Sequence, residues 1–308
     1  MGFSHIKSSE EFVNKLYTGV TTAKVLAVNP TKEALEALGM NVQKEPVYAG
    51  TARTGEKQMR VNFLLAVNIG EDKPKLMNLS FFINDAFQKG STSGKYQVID
   101  KYGRTAWATE SDIETHSIPQ YSNGPASIDK DYRKLYVGEA ALEQFIRALL
   151  CLDDAEYYNS NTATRVVRTG KELEDCEGTL EDVKAIIDGN INELKNIVKM
   201  AANNEVKILL GVKNNNDGRQ FQAIYADLFV KNRTQMATAI KIFEKNYNDR
   251  TKAGAYKTSE FEVSEVHEYK VVPTTFATTS AQEVPATDNI MDDIPADAME
   301  IDDLPMSM

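Results

Sequence analysis

The sequence predicts an α+β chain whose centre is a five-stranded antiparallel barrel, with a large helical insert between its third and fourth strands. Three observations carry this. Stretches of strict apolar/polar alternation lie both before and after a helical middle; the two long amphipathic patterns fall between them; and the last 36 residues lose every feature of a packed chain. The order divides the molecule into a strand-helix extension (1–45), a core (46–272) with its insert at about 109–203, and a disordered acidic tail (273–308).

In chain order, KVLAV (24–28) reads as a short strand closed by Asn29-Pro30, and TKEALEALG as a short helix with Thr31 at its N-cap and Gly39 at its stop. In QMRVNFLLAVNI (58–69), Met59, Val61, Phe63, Leu65, Val67 and Ile69 share one face, with Arg60, Asn62 and Asn68 opposite. Period two means a half-buried strand. After the turn GEDKPK, LMNLSFFI (76–83) sets Met77, Leu79, Phe81 and Ile83 against Asn78, Ser80 and Phe82. A Gly/Ser-rich loop, KGSTSGK, leads to a third strand pair at 96–99 and 103–108.

Residues 109–135 are polar. GEAALEQFIRALLCL (138–152) then carries Leu142, Phe145, Ile146 and Leu149 along one helical stripe, and 179–203 reads as a second long helix. Thr179 and Asp182 are its approximate capping box, and Gly189 weakens its middle. Strands return at 205–212 and 219–231 around the turn NNNDG, where Asp-Gly is a hairpin signal. A helix at 235–248 and a strand at 261–272 end the folded part; from Pro273, Thr, Ala, Ser, Pro and acids dominate. A five-stranded oligonucleotide-binding (OB) barrel has this order, with its ligand across strands 2–3 and the loops joining strands 1–2 and 4–5. Here those loops are Gly70–Lys75 and Asn214–Gly218.

The net charge of −10 argues against a polyanionic ligand only until its distribution is read. After Lys270 there is no basic residue, and eight acids carry −8 of the −10, leaving −2 for the rest. Residues 53–107 hold 9 basic against 5 acidic side chains and residues 195–257 hold 12 against 5, whereas 108–194 hold 8 against 18. Two basic segments flanking an acidic one suit an anionic partner.

Chemistry of other kinds finds little support. His5, His116 and His267 and the distant Cys151 and Cys176 form no metal-ligand spacing and no nucleophile-base pair, and Cys151 is expected as a buried thiol. Gly50-Thr51-Ala52-Arg53-Thr54-Gly55-Glu56-Lys57 approaches a phosphate-binding loop. It fails because Glu56 stands where the lysine belongs and a strand follows instead of a helix. Asp153-Asp154 reads as a solvated pair at a helix end. The expectation is a non-enzyme without cofactor or metal. No apolar run reaches membrane-spanning length and no secretory signal is visible, so the cytoplasm is the expected compartment.

What the strands do offer is rings and cations opposite their apolar faces. On 219–231, Arg219, Phe221, Tyr225, Phe229 and Lys231 oppose a more aliphatic face of Gln222, Ile224, Ala226, Leu228 and Val230. With Arg53, Arg60, Phe82, Lys95, Arg104, Lys207 and Lys213 they form a surface on which bases would stack while cations follow phosphates. The alternative is that the insert covers this face and makes Phe82, Phe221 and Tyr225 core. Trp107 is expected in the core.

The tail writes one word twice: Asp292-Asp293-Ile294-Pro295 and Asp302-Asp303-Leu304-Pro305. This layout resembles the single-stranded DNA-binding proteins of bacteria and tailed phages, in which an OB core and a low-complexity linker precede an acidic C-terminal tail. The start, YTGVTTAKVLAVNPTKEALEALGM, is similar to those of large tailed phages. The resemblance implies a replication and recombination protein that binds single-stranded DNA, with a tail that competes with DNA and docks partner enzymes. The chain departs from the bacterial pattern where neither word is followed by Phe: Ala296 follows the first and Met306 the second. That puts the identity of the docked partner in doubt. A non-enzymatic phage structural or cargo protein is the alternative.

Overall fold

The computed structural model describes residues 15–118, 128–152, 180–214 and 220–225, with the short segments 156–159, 164–167 and 266–268 and the single residue Lys241. The chain opens with β1 (Tyr17–Val28), which starts seven residues earlier than the alternation at 24–28 suggests. Asn29 takes a positive φ and locks the exit: its amide donates to the Asn62 carbonyl at 2.8 Å and its side chain accepts from the Asn62 amide at 2.6 Å. The helix α1 (Lys32–Ala37) follows as expected, its Thr31 cap accepting from the Ala34 amide, with Gly39 left-handed just beyond.

The short β2 (Ala49–Thr51) leads into β3 (Lys57–Val67) and β4 (Lys75–Phe87), paired from Gln58↔Asn84 to Val67↔Lys75. The predicted apolar face is buried throughout: Met59, Val61, Phe63, Leu65 and Val67 on β3, and Met77, Leu79, Phe81 and Ile83 on β4.

The third strand pair does not continue this sheet. It forms β5 (Tyr96–Asp100) and β6 (Thr105–Ala108), and after the short helix α2 (Glu110–Glu114) a further strand, β7 (Tyr132–Lys134), joins them in a separate sheet of order β6-β5-β7. The next two residues, β8 (Tyr136–Val137), return to the first sheet and pair with β4. Between them Leu135, fully buried, ties the sheets together: its amide donates to Gln97, its carbonyl accepts from Gln88, and Gln88 in turn accepts from Gln97. The insert is therefore not purely helical. Its polar opening, 109–135, hides β7 because a three-residue strand is too short to show a period.

Of the helices, α3 (Glu139–Leu149) matches the 138–152 pattern. β9 (Glu156–Asn159) and β10 (Thr164–Val167) pair with each other alone. The second long helix is divided into α4 (Val183–Ile187) and α5 (Asn192–Met200), with Gly189 at φ +101° between them. Asp182 serves as the N-cap, accepting from the Ala185 amide, while Thr179 lies outside the described residues.

β11 (Val206–Asn214) pairs with β12 (Gln220–Tyr225) and with β1, and β13 (Val266–Glu268) pairs with the start of β1. The rest of the predicted hairpin turn, the remainder of 219–231, the 235–248 helix apart from Lys241, and the tail lie outside the described residues. The main sheet runs β12-β11-β1-β3-β4-β8, antiparallel at every described pairing. One edge of β1 serves two partners, β13 at Tyr17–Gly19 and β3 from Ala23 onward, with a bulge between Val25 and Ala27. Such a bulge deepens local twist, and the sheet curls into a half-barrel. Gln222 holds the curl from within, its side chain accepting from the Tyr17 amide and donating to the Tyr17 carbonyl, each at 2.8 Å.

The helices pack on the apolar face of this sheet. Phe145 of α3 stands 4.9 Å from Phe63 and 5.4 Å from Phe81, ring centre to ring centre, and Leu142, Ile146 and Leu149 extend the contact. Val183, Ile186 and Ile187 of α4 and Leu194 and Ile197 of α5 complete the core. Cys151, at the end of α3, is buried and outside any disulfide. Among the described residues no helix is long and apolar enough to cross a membrane.

Candidate nucleic-acid interface

Strand register decides which residues share the face opposite the helices. Arg60 lies directly across from Phe82, and Gln58 from Asn84; Lys213 lies across from Phe221, and Leu209 from both Tyr225 and Val20. Because Val206, Ile208 and Leu210 point to the core, Lys207 alternates to the other side with Leu209. The described candidates on the main-sheet strands β3, β4, β11 and β12 therefore fall on the face opposite α3, α4 and α5. The covered-face alternative, in which α3–α5 bury Phe82, Phe221 and Tyr225, does not describe this arrangement: those helices pack against Phe63 and Phe81 instead.

That face is uneven. On the β3–β4 flank, Arg60 is partly exposed, with Nη2 on the Val47 carbonyl at 3.1 Å and its guanidinium 5.4 Å from the Tyr48 ring centre. Burial raises the Tyr48 pKa, and the neighbouring Arg60 charge opposes that shift. Tyr48 therefore stays neutral as a stacking partner. Beside this pair runs an amide ladder: Gln58 donates to Asn84 at 2.7 Å, Asn62 donates to Asn78 at 3.0 Å, and Ser80 donates to Asn62 at 2.8 Å. On the other flank Lys207 is exposed and Phe221 is 45 % exposed, while Tyr225 is half-buried. Between the flanks Val20, Leu64 and Leu209 are buried. The middle of this face is apolar and buried, and among the described residues its rings and cations stand on the two flanks.

The remaining candidates separate. Arg53 sits exposed in the β2–β3 turn, and Lys95 is exposed at the end of the Gly/Ser loop. Arg104 is committed elsewhere. The Asp100 carboxylate, 3 % exposed as a residue, accepts from the Tyr102 and Arg104 amides, from Arg104 Nε at 2.7 Å and from the Asp129 amide. Its guanidinium also stacks 4.7 Å from the Tyr102 ring centre. Arg104 therefore braces the β5–β6 turn, a role that one basic letter in a turn cannot reveal. Arg219, Lys231 and the tail words lie outside the described residues.

A second constellation escaped the sequence reading. Where the two sheets meet, Phe87 stacks on Tyr136 at 4.9 Å and meets Tyr96 edge-on at 6.5 Å. Lys134 Nζ lies 4.1 Å from the Tyr96 ring centre and 5.4 Å from that of Phe87, and Lys89 Nζ lies 4.9 Å from Tyr96. Phe87, Lys134 and Tyr136, with Ile113 and Val183, line an open cleft of about 510 Å³. The available signal was alternation: Phe87 and Lys89, then Lys134 and Tyr136, are spaced by two. Trp107, expected in the core, is instead 43 % exposed on β6.

The acids of the site are structural. Glu139, fully buried, accepts from the Tyr136 amide at 2.8 Å and pairs with Arg133 Nη2 at 2.6 Å, which fastens α3 to β7 and β8. Among the described residues no three His, Cys, Asp or Glu side chains are grouped to hold a metal ion. No family model matches the chain, and no curated protein or solved structure gives a match to it.

Proposed function

We propose that this chain binds single-stranded DNA with little sequence preference, and that its curled sheet is an OB-like barrel whose face opposite the core helices carries the strand. The observation that supports this best is register: Arg60 beside Phe82 on one flank, and Lys207 with the exposed Phe221 on the other, share the face opposite α3, α4 and α5. Rings without hydrogen-bond readout tolerate any base, and cations on strands follow the phosphates. Replication and recombination are the processes such a protein serves, with the Asp-Asp-Ile-Pro and Asp-Asp-Leu-Pro words as the address for partner proteins.

The test is salt-dependent binding of a fluorescent oligothymidylate. Arg60→Gln removes one phosphate contact and should lower the salt slope by about one. Phe221→Ala should weaken binding about tenfold, within the ~1–3 kcal/mol of a stacked base, while the melting temperature stays put. Absence of binding by the intact protein at low salt would reject the reading in favour of a non-enzymatic structural or cargo protein.

A further inference from the structure

The geometry points to Trp107 as a base-stacking contact for single-stranded nucleic acid, on the second sheet and separate from the β3–β4 flank; this deepens the reading above and rests on it. Trp107 is the sole tryptophan of the chain, and β6 holds it 43 % exposed. An indole left this open on a strand gives up part of the burial it would gain in the core. Alternation along β6 sets it there, since its strand neighbours Ala106 and Ala108 are buried on the other side.

The ring lies against Gly90. A Cβ built at Gly90 would stand 3.4 Å from Trp107 Cζ3 and 3.7 Å from Cε3, and 2.7 Å from Ser93 Oγ. A side chain at 90 would displace the Ser93 hydroxyl and meet the ring in van der Waals contact. Gly90 serves as a flat floor that steadies the indole from one edge.

Around the ring stand the groups a nucleic-acid strand requires. Gln97 is its cross-strand partner and is half-exposed. Lys95, fixed by the Gly90 amide donating to its carbonyl at 2.9 Å, is exposed and has no ion pair among the described residues. Two of the three acids of α2 are already engaged: Glu110 holds Lys134 at 2.6 Å, and Asp112 accepts from the Thr109 amide and hydroxyl, while Glu114 stands exposed at the far end of the helix. An open indole beside an exposed ammonium, whose charge also acts on Asp112, and an amide complements a base, its phosphate and its edge. A purely apolar peptide would leave the ammonium without a counterpart.

Because Trp107 is alone, its fluorescence reports the site in the unaltered chain. Titration with an oligothymidylate of about 30 nucleotides, long enough for more than one OB-sized site, should quench the emission and shield it from acrylamide. Trp107→Ala should weaken binding about tenfold, Trp107→Phe should restore most of it, and Lys95→Gln should lower the salt slope by about one. If oligothymidylate binds but the emission and acrylamide access are unchanged, Trp107 is not a contact and the proposal is overturned. If no oligothymidylate binds at all, the proposal falls together with the function on which it rests. Quenching in the intact protein needs no variant, so a Trp107→Ala chain that melted early would not obscure the answer.

Discussion

At Gly138 the chain turns from β8 into α3 with φ at +83°, and a Cβ built there would lie 1.9 Å from the Phe82 carbonyl oxygen. Gly138→Ala combines left-handed strain of about 1–2 kcal/mol with a backbone clash that only displacement of β4 relieves. Thermal melting should show a loss of at least that size, and unchanged melting would mean the corner has room. The next residue makes a pH prediction. Burial raises the Glu139 carboxyl above its ordinary 4.5, more than the Arg133 pairing and the Tyr136 amide lower it. A raised folded pKa means the native state holds the proton longer than the unfolded chain. That contribution is complete below the ordinary value and is lost as pH rises through the folded one. The stability of the native protein relative to Glu139→Gln should therefore fall as pH climbs from 4 through the Glu139 titration, in urea melts at fixed ionic strength. A difference that grows with pH instead would show that the Arg133 pair dominates. Single residues of this kind were the least legible in the sequence. Trp107 sits between two alanines with no period to place it, and Arg104 is one basic letter whose partner, Asp100, matters only once the turn is closed.

Among the elements, β3, β4, β11 and α3 were legible because each buries one face along a regular period, so every second or every third-to-fourth residue repeats the message. The first half of β1 was not, because YTGVTT is buried on both sides of the strand and shows no alternation. Nor was the departure of β5 and β6 from the main sheet, which is decided by hydrogen bonds at Gln88, Gln97 and Leu135 rather than by composition. The clearest energetic contrast lies between two phenylalanines. Phe145 is fully enclosed between Phe63 and Phe81, while Phe221 is nearly half exposed on β12. Phe145→Ala should cost about 3–5 kcal/mol, and Phe221→Ala well under 1 kcal/mol, by denaturant unfolding. Equal losses would mean that Phe221 packs as core and that the two sheet faces have been exchanged.

For the whole molecule the governing quantity is where charge sits. About twenty residues separate Val272 from the first Asp-Asp word at Asp292, so eight acids remain tethered to a body of net charge −2 whose basic segments face outward in part, as at Arg53, Lys95 and Lys207. If that stretch is the flexible tether its composition predicts, its end stays at a roughly millimolar effective concentration near the body. The attraction between exposed charges is screened, with a Debye length of ~10 Å at 0.1 M salt. If the body binds single-stranded DNA, the tail competes for the same cations and must leave before counterions are released from the DNA. Ending the chain at Val272 should then tighten oligothymidylate binding most at low salt and little at high salt, and should steepen the dependence of affinity on salt. Titrations of intact and shortened protein across salt concentrations measure this directly. Parallel lines, with no gain on shortening, would mean that the acidic words never meet the cations of the sheet. Their duplication would then be explained by a protein partner alone, and pull-downs with and without residues 288–308 would have to differ.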